Sequence, residues 1–245
     1  MDSKMTRRET ILALGATAAV AAAGGLARAG DDSAAPAPKP LPAGKHEAVP
    51  LPFDATKLSG ISEKLITSHW QNNYGGAVKN LNKVEEQFAG VTKDTPGFVV
   101  AGLKERELLF TNSVILHEHY FGNLGGNGKP GGAAASAISD CFGGLARWEE
   151  LFRATGMSLS GGSGWTVLDL NFHTGDLRTY WAGNHTQGLA FGQPLLVLDM
   201  YEHAYAIDYG ASAAKYVDAF MANVNWDEVQ RRYERALRAL KALRS

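Results

Sequence analysis

Pro194-Leu195-Leu196-Val197-Leu198-Asp199-Met200-Tyr201-Glu202-His203 is the stretch on which the reading of this 245-residue chain turns. Its first five residues are apolar and a carboxylate closes them, the pattern of a short buried strand that presents Asp199 at the edge of a sheet. Binding and reaction sites gather at such strand ends. His203 follows four residues later, so one short segment offers a carboxylate and an imidazole to the same point.

Working outward, two more short runs rich in β-branched, aromatic and other apolar residues precede this one, Trp165 to Leu170 and Leu177 to Trp181, with the turn signal His173-Thr174-Gly175-Asp176 between them. The region from Leu58 to Phe88 has a different period. Ile61, Leu65, His69, Val78, Leu81 and Val84 recur at helical steps, and Gly75-Gly76 weakens the middle and invites a kink. A second helix is predicted over Leu103 to Phe121, ending at Gly122 and a loop of glycine, asparagine and proline that runs to Gly132. More helix is predicted over Ala133 to Thr155, and two closing helices over Ala211 to Val224 and Trp226 to Leu243. The fold class is therefore α+β: an N-terminal antiparallel helical hairpin, then a mixed α/β domain with a small three-stranded antiparallel sheet.

The N-terminus reads as an address. Arg7 and Arg8 open a twin-arginine signal, an apolar stretch runs from Ile11 to Leu26, and Ala27-Arg28-Ala29 supplies the small residues a signal peptidase needs. Residues 1–29 are thus expected to direct export of the folded protein to the periplasm or another extracytoplasmic space, with no stable membrane insertion after cleavage. Residues 30–46, rich in alanine and proline, read as a disordered linker. The helical hairpin is assigned to 47–128 and the α/β domain to 129–245.

Composition narrows the function. A net charge of -1 and the lack of a basic stripe exclude a nucleic-acid footprint. The single cysteine, Cys141, excludes an intrachain disulfide and cysteine-based zinc motifs, and it reads as a small buried residue beside Phe142. Among seven histidines, His69 stands on the helical face of Leu65 and Ile66, and His117 lies near the end of the second helix. Either one alone would usually be a core histidine. With Asp199 and His203 they form a set of three imidazoles and one carboxylate that would leave a coordination position open on a metal ion. His46 and His173 read as exposed polar residues, and His119 points away from His117.

On this set the chain resembles the iron/manganese superoxide dismutases. The similarity runs from Pro50-Leu51-Pro52-Phe53 through Ile61-Ser62, Asn80-Leu81-Asn82, Phe142-Gly143-Gly144 and Gly162-Ser163-Gly164-Trp165 to Asp199-Tyr205 and Val224-Asn225-Trp226. The resemblance implies one iron or manganese ion per subunit on His69, His117, Asp199 and His203, disproportionating superoxide to oxygen and hydrogen peroxide. The alternative is a metal-binding protein of the same fold with low or lost dismutase activity. In the family a glutamine or histidine contacts the metal's solvent from one of two places. Here the first is Ser113, too short to reach, and the second is His185, which leans the metal choice toward iron. Trp165 and Tyr201 are expected to wall the pocket, and Glu202 to reach the partner's ligand histidine across a homodimer interface. The family's gateway tyrosine and histidine fall on Ala77 and Asn73, and a further tyrosine on Ala206. Tyr74 is the candidate to fill that space, and with His185 it completes the expected catalytic pair.

Overall fold

The computed structural model describes residues 44–245. The expected signal and all but the end of the expected linker lie outside the described residues. That end, 44–46, is already held: the Gly44 amide donates to Glu85, the His46 amide to Asn82, and the His46 ring pairs with Glu85 at 2.8 Å.

Helix α1 (Glu63–Ser68) begins where the Ser62 hydroxyl accepts from the Leu65 amide, five residues later than the apolar pattern suggests. The Ser62 cap supplies a partner that Leu58 could not. The chain then runs as a π-helix over His69–Tyr74 before α2 (Gly75–Phe88) resumes. The Gly75 amide bonds to the Trp70 carbonyl, five residues back. This irregularity, rather than a glycine kink, marks the middle of the helix. Buried positions therefore step by five, from His69 to Tyr74, before Ala77, Val78, Leu81 and Val84 restore the usual spacing.

Helix α3 (Gly97–Gly122) packs antiparallel to α2 and starts six residues before the predicted boundary, at Pro96, which fits a helix entrance but not its interior. The predicted helix over 133–155 is two helices, α4 (Gly132–Phe142) and α5 (Leu145–Met157), divided at Gly143, whose left-handed φ of 74° ends α4. Cys141 is exposed on α4, which corrects the expectation of a buried thiol.

Strands β1 (Trp165–Asn171), β2 (Leu177–Ala182) and β3 (Gly192–Asp199) form an antiparallel sheet of order β2-β1-β3. The register sets Trp165 opposite Asp199 on one side and Ala182 on the other. Close approach at this end requires Gly164: a Cβ there would lie 2.2 Å from the Ala182 carbonyl oxygen. After β3 come α6 (Ala206–Tyr209), α7 (Ala213–Ala222) and α8 (Trp226–Leu243), the last capped by Asn225.

β3 is an edge strand, and its outer backbone groups find partners in side chains. Asn123, at the end of α3, donates to the Leu195 carbonyl and accepts from the Val197 amide, mimicking a neighbouring strand. Arg232 of α8 donates to Asn123, to the Leu195 carbonyl and to the His119 carbonyl, and Glu228 holds it in turn. Two helices are thereby locked to the strand that ends in Asp199. Replacing Asn123 strands buried polar groups on all three elements. We expect Asn123→Ala to destabilise the metal-free protein by about 2–4 kcal/mol, read as a lower urea midpoint at unchanged slope; a loss within error would show that the edge needs no such partner.

Candidate metal centre

Four side chains from three parts of the fold converge. His69 opens the π-helix, His117 sits in the last turns of α3, Asp199 ends β3, and His203 lies in the 3-10 turn Glu202–Ala204. One ligand atom from each lies within 4.8 Å of all the others. Asp199 Oδ2 stands 3.1 Å from His69 Nε2, 3.2 Å from His203 Nε2 and 3.7 Å from His117 Nε2. Donors bound at about 2.1 Å to one ion, at angles of about 90–120°, stand about 3.0–3.6 Å apart, a range that holds the His69 and His203 contacts of Asp199 and that the His117 contact slightly exceeds.

The local backbone explains the aim of each donor. Asp199 Oδ1 accepts from the Tyr201 amide at 2.8 Å, a local turn that leaves Oδ2 for the histidines. His117 Nδ1 donates to the Ser113 carbonyl at 2.6 Å, which leaves its Nε2 as the bare lone pair. Ser113 is thus useful through its backbone, although its side chain is too short for the family's solvent contact. His69 is wedged among the rings of Tyr120 and Phe121, with centroids at 5.1 and 5.0 Å.

Electrostatics favour a cation here. Burial drives the imidazoles of His69 and His117 below their ordinary value, that of His117 to about 3, so both are neutral donors at neutral pH. Burial pushes the Asp199 carboxyl up, but the imidazoles close to it, His203 first and then His69, outweigh it and hold the group well below the usual carboxylate range. Among the described residues, both ring nitrogens of His69 and Nε2 of His117 are buried without a hydrogen-bond partner. Unpartnered buried lone pairs around an anionic oxygen are the environment a divalent or trivalent ion satisfies. An iron or manganese ion fits these residues.

Around the donors stand the expected wall residues. Trp165 is fully buried, meets His117 edge to face at 5.1 Å, and donates from Nε1 to His185 Nδ1 at 3.0 Å. The Tyr201 ring stacks between His185, at 4.8 Å, and His203, at 5.3 Å. The His185 backbone is fixed by Asn112, whose Nδ2 donates to its carbonyl. Glu202 points into solvent.

Tyr74 lies where the expectation needs correcting. Its ring is 6.2 Å from that of His117, but its hydroxyl donates to Glu118 and accepts from the Val49 amide, both at 2.8 Å, and burial pushes it up to about 12. Both hydroxyl functions are committed to the N-terminal segment and α3, so Tyr74 walls the pocket and has no hydrogen free for it. The π-helix causes this, by rotating Tyr74 into the core ahead of Ala77. Asn73 stays partly exposed, Ala77 is buried and Ala206 is exposed.

Two residues that sequence reasoning passed over brace the centre from behind. Tyr216 donates to the Asp199 carbonyl at 2.8 Å and lies 3.2 Å from the Tyr120 hydroxyl. Tyr120, three residues after His117 on the same helical face, carried a spacing signal; Tyr216, on α7, carried none.

The comparisons agree with this geometry. The family model described as iron/manganese superoxide dismutases, C-terminal domain, matches residues 130–232. A protein of Cupriavidus metallidurans named as an iron superoxide dismutase is 50% identical over 194 residues, covering 79% of this chain and 98% of the relative. An iron superoxide dismutase of Aquifex pyrophilus is 36% identical over 196 residues (76% and 91% covered), and a manganese superoxide dismutase of Halobacterium salinarum is 34% identical over 196 residues (78% and 96% covered). With this fold, this donor set and relatives matched along nearly their whole length, the chain belongs to the iron/manganese superoxide dismutase family.

Proposed function

We propose that this protein disproportionates superoxide to oxygen and hydrogen peroxide, with one iron or manganese ion per chain held by His69, His117, Asp199 and His203. The observation that carries this reading is the donor set itself, four ligand atoms within 4.8 Å of one another. When bound, the ion supplies the one-electron redox couple; two superoxide anions and two protons give one oxygen and one hydrogen peroxide. The chain's own residues set the conditions. Asp199 contributes the negative charge that favours the higher oxidation state. The Ser113 carbonyl fixes the tautomer of His117. Tryptophan is only a donor, so its bond makes His185 Nδ1 the acceptor and places the proton of the neutral ring on Nε2. His185 is therefore the pocket's candidate donor to oxygen species, positioned by Trp165, Tyr201 and Asn112.

Iron is slightly favoured, because His185 occupies the position that leans that way; the relatives themselves are named for iron and for manganese alike. A homodimer is supported by Glu202, which is exposed, and by His203 Nδ1, which has no partner among the described residues. Among those residues no helix is long and apolar enough to cross a membrane. Export rests on Arg7 and Arg8. A same-fold protein without turnover is not favoured, since relatives matched along nearly their whole length are named as superoxide dismutases.

His69→Ala, His117→Ala, Asp199→Ala and His203→Ala are each expected to abolish stoichiometric metal binding and superoxide decay, while His173→Ala binds and turns over normally. Metal analysis with an assay normalised to bound metal is the check. A native protein that is fully loaded yet leaves superoxide untouched would sink the reading.

The pocket lacks the gateway hydroxyl and imidazole at Ala77 and Asn73, and Tyr74 is committed elsewhere. Positioned proton transfer contributes about 10²–10⁴-fold. Peroxide formation should then be slower than superoxide oxidation, with turnover well under the ceiling of about 10⁸–10⁹ M⁻¹s⁻¹. Pulse radiolysis of the native chain, Ala77→Tyr, and Ala77→Tyr with Asn73→His, at matched metal content, should show a solvent deuterium effect and partial rescue in the double variant. Native turnover near the ceiling that neither change alters would contradict this.

For export, Arg7→Lys with Arg8→Lys should trap the protein in the cytoplasm, measured by cell fractionation; unchanged secretion would rule out the twin-arginine route.

A further inference from the structure

Away from the metal centre, a cleft of about 380 Å³ opens between α3 and the sheet face that carries Trp165. Its walls are largely apolar, with Leu108 and Leu116 from α3 and Val167 from β1, and none of the four metal ligands lines it. Asp169 also lines it. This carboxylate is 4% exposed, and its Oδ1 has no hydrogen-bond partner. Its cross-strand neighbour Arg178 would be the natural counter-ion, but that side chain is exposed and bonds to Asp176 at 3.0 Å and to the Leu177 carbonyl.

No lysine, arginine or histidine lines the cleft. Tyr180 is the other ionisable side chain there, and its hydroxyl accepts from Asn171. Asn112 spends its Nδ2 on the His185 carbonyl and presents Oδ1 as a second acceptor. The cleft thus offers acceptors and a negative charge inside an apolar enclosure, in the size range of small-molecule sites. An anion would be repelled and a neutral apolar molecule would leave the carboxylate unpaired, whereas a cationic donor recovers the cost of burying it.

We propose that this cleft binds a small organic cation, an ammonium or amidinium on an apolar body, with its head on Asp169 and its body between Leu108, Leu116 and Val167. Such a site shares no residue with the donor set and meets the metal centre only through Asn112, which also holds the His185 carbonyl.

Burial pushes the Asp169 carboxyl up to about 7, against the smaller opposing effect of the Gln193 amide. The cation should therefore bind better as pH rises through neutrality and release protons as it does so. The test is calorimetric titration of the metal-loaded protein with benzamidine, which stays cationic throughout, at pH 5.5 and 8.5, with benzyl alcohol as the neutral probe. We expect one-to-one saturable benzamidine binding at pH 8.5, weakened about tenfold or more at pH 5.5 and in Asp169→Asn. Benzyl alcohol affinity should weaken with neither change. Superoxide turnover per metal reports whether Asp169→Asn is folded, and if it is not, proton release by the native protein at pH 7, measured in two buffers of different ionisation enthalpy, carries the test alone. Absence of saturable binding, an affinity independent of pH, or an Asp169→Asn variant that binds benzamidine as tightly as the native chain would overturn the proposal. So would an Asp169→Asn variant whose oligomer mass changes while its benzamidine affinity does not.

Discussion

A carboxylate removed from water, Asp199, facing three imidazole nitrogens is the interaction on which the rest of this structure depends. A buried anion without compensation costs several kcal/mol, and here the compensation comes from distant parts of the chain: the π-turn of the first helix, the end of α3 and the turn after β3. Burial keeps His69 and His117 neutral, so they offer lone pairs instead of positive charge. The same dry surroundings that make an uncompensated donor set expensive make it a strong site for a cation.

Much of the remaining architecture keeps that carboxylate in place. Trp165 lies opposite Asp199 in the sheet register and also reaches His185 and His117, so one strand pair sets both the ligand and the pocket wall. Tyr216 holds the Asp199 carbonyl from behind, and Asn123 with Arg232 clamps the outer edge of β3. These contacts use backbone groups that an edge strand would otherwise leave to solvent or to another chain. Rigidity at the strand end is thereby obtained from helices on both sides of it.

Much of this was legible in residue order. The three strands fall within two residues of their predicted ends, because short apolar runs bounded by turn residues leave little choice of register. The four donors were legible because a carboxylate and histidine at a four-residue step is an unusual thing to find after a buried strand. Helix starts were less so: α1 begins after the Ser62 cap and α3 directly after Pro96, which fits a helix entrance, and neither point is marked by the apolar pattern. The fate of Tyr74 was not legible, since a helical period of 3.6 places it beside Ala77, and only the π-turn rotates it toward Glu118 and Val49.

By itself, then, the sequence determined the element types, the sheet and the Asp199–His203 pair through local spacing and residue chemistry, and the family through its resemblance along the chain. Tertiary structure alone decided which hydroxyl remains free, which nitrogen of His117 and of His185 is bare, and that Asp169 ends in an apolar cleft without its cross-strand arginine. Those outcomes depend on hydrogen-bond partners far away in the chain, Val49 for Tyr74, Trp165 for His185 and Asp176 for Arg178, and competition for partners is settled by packing rather than by the order of residues.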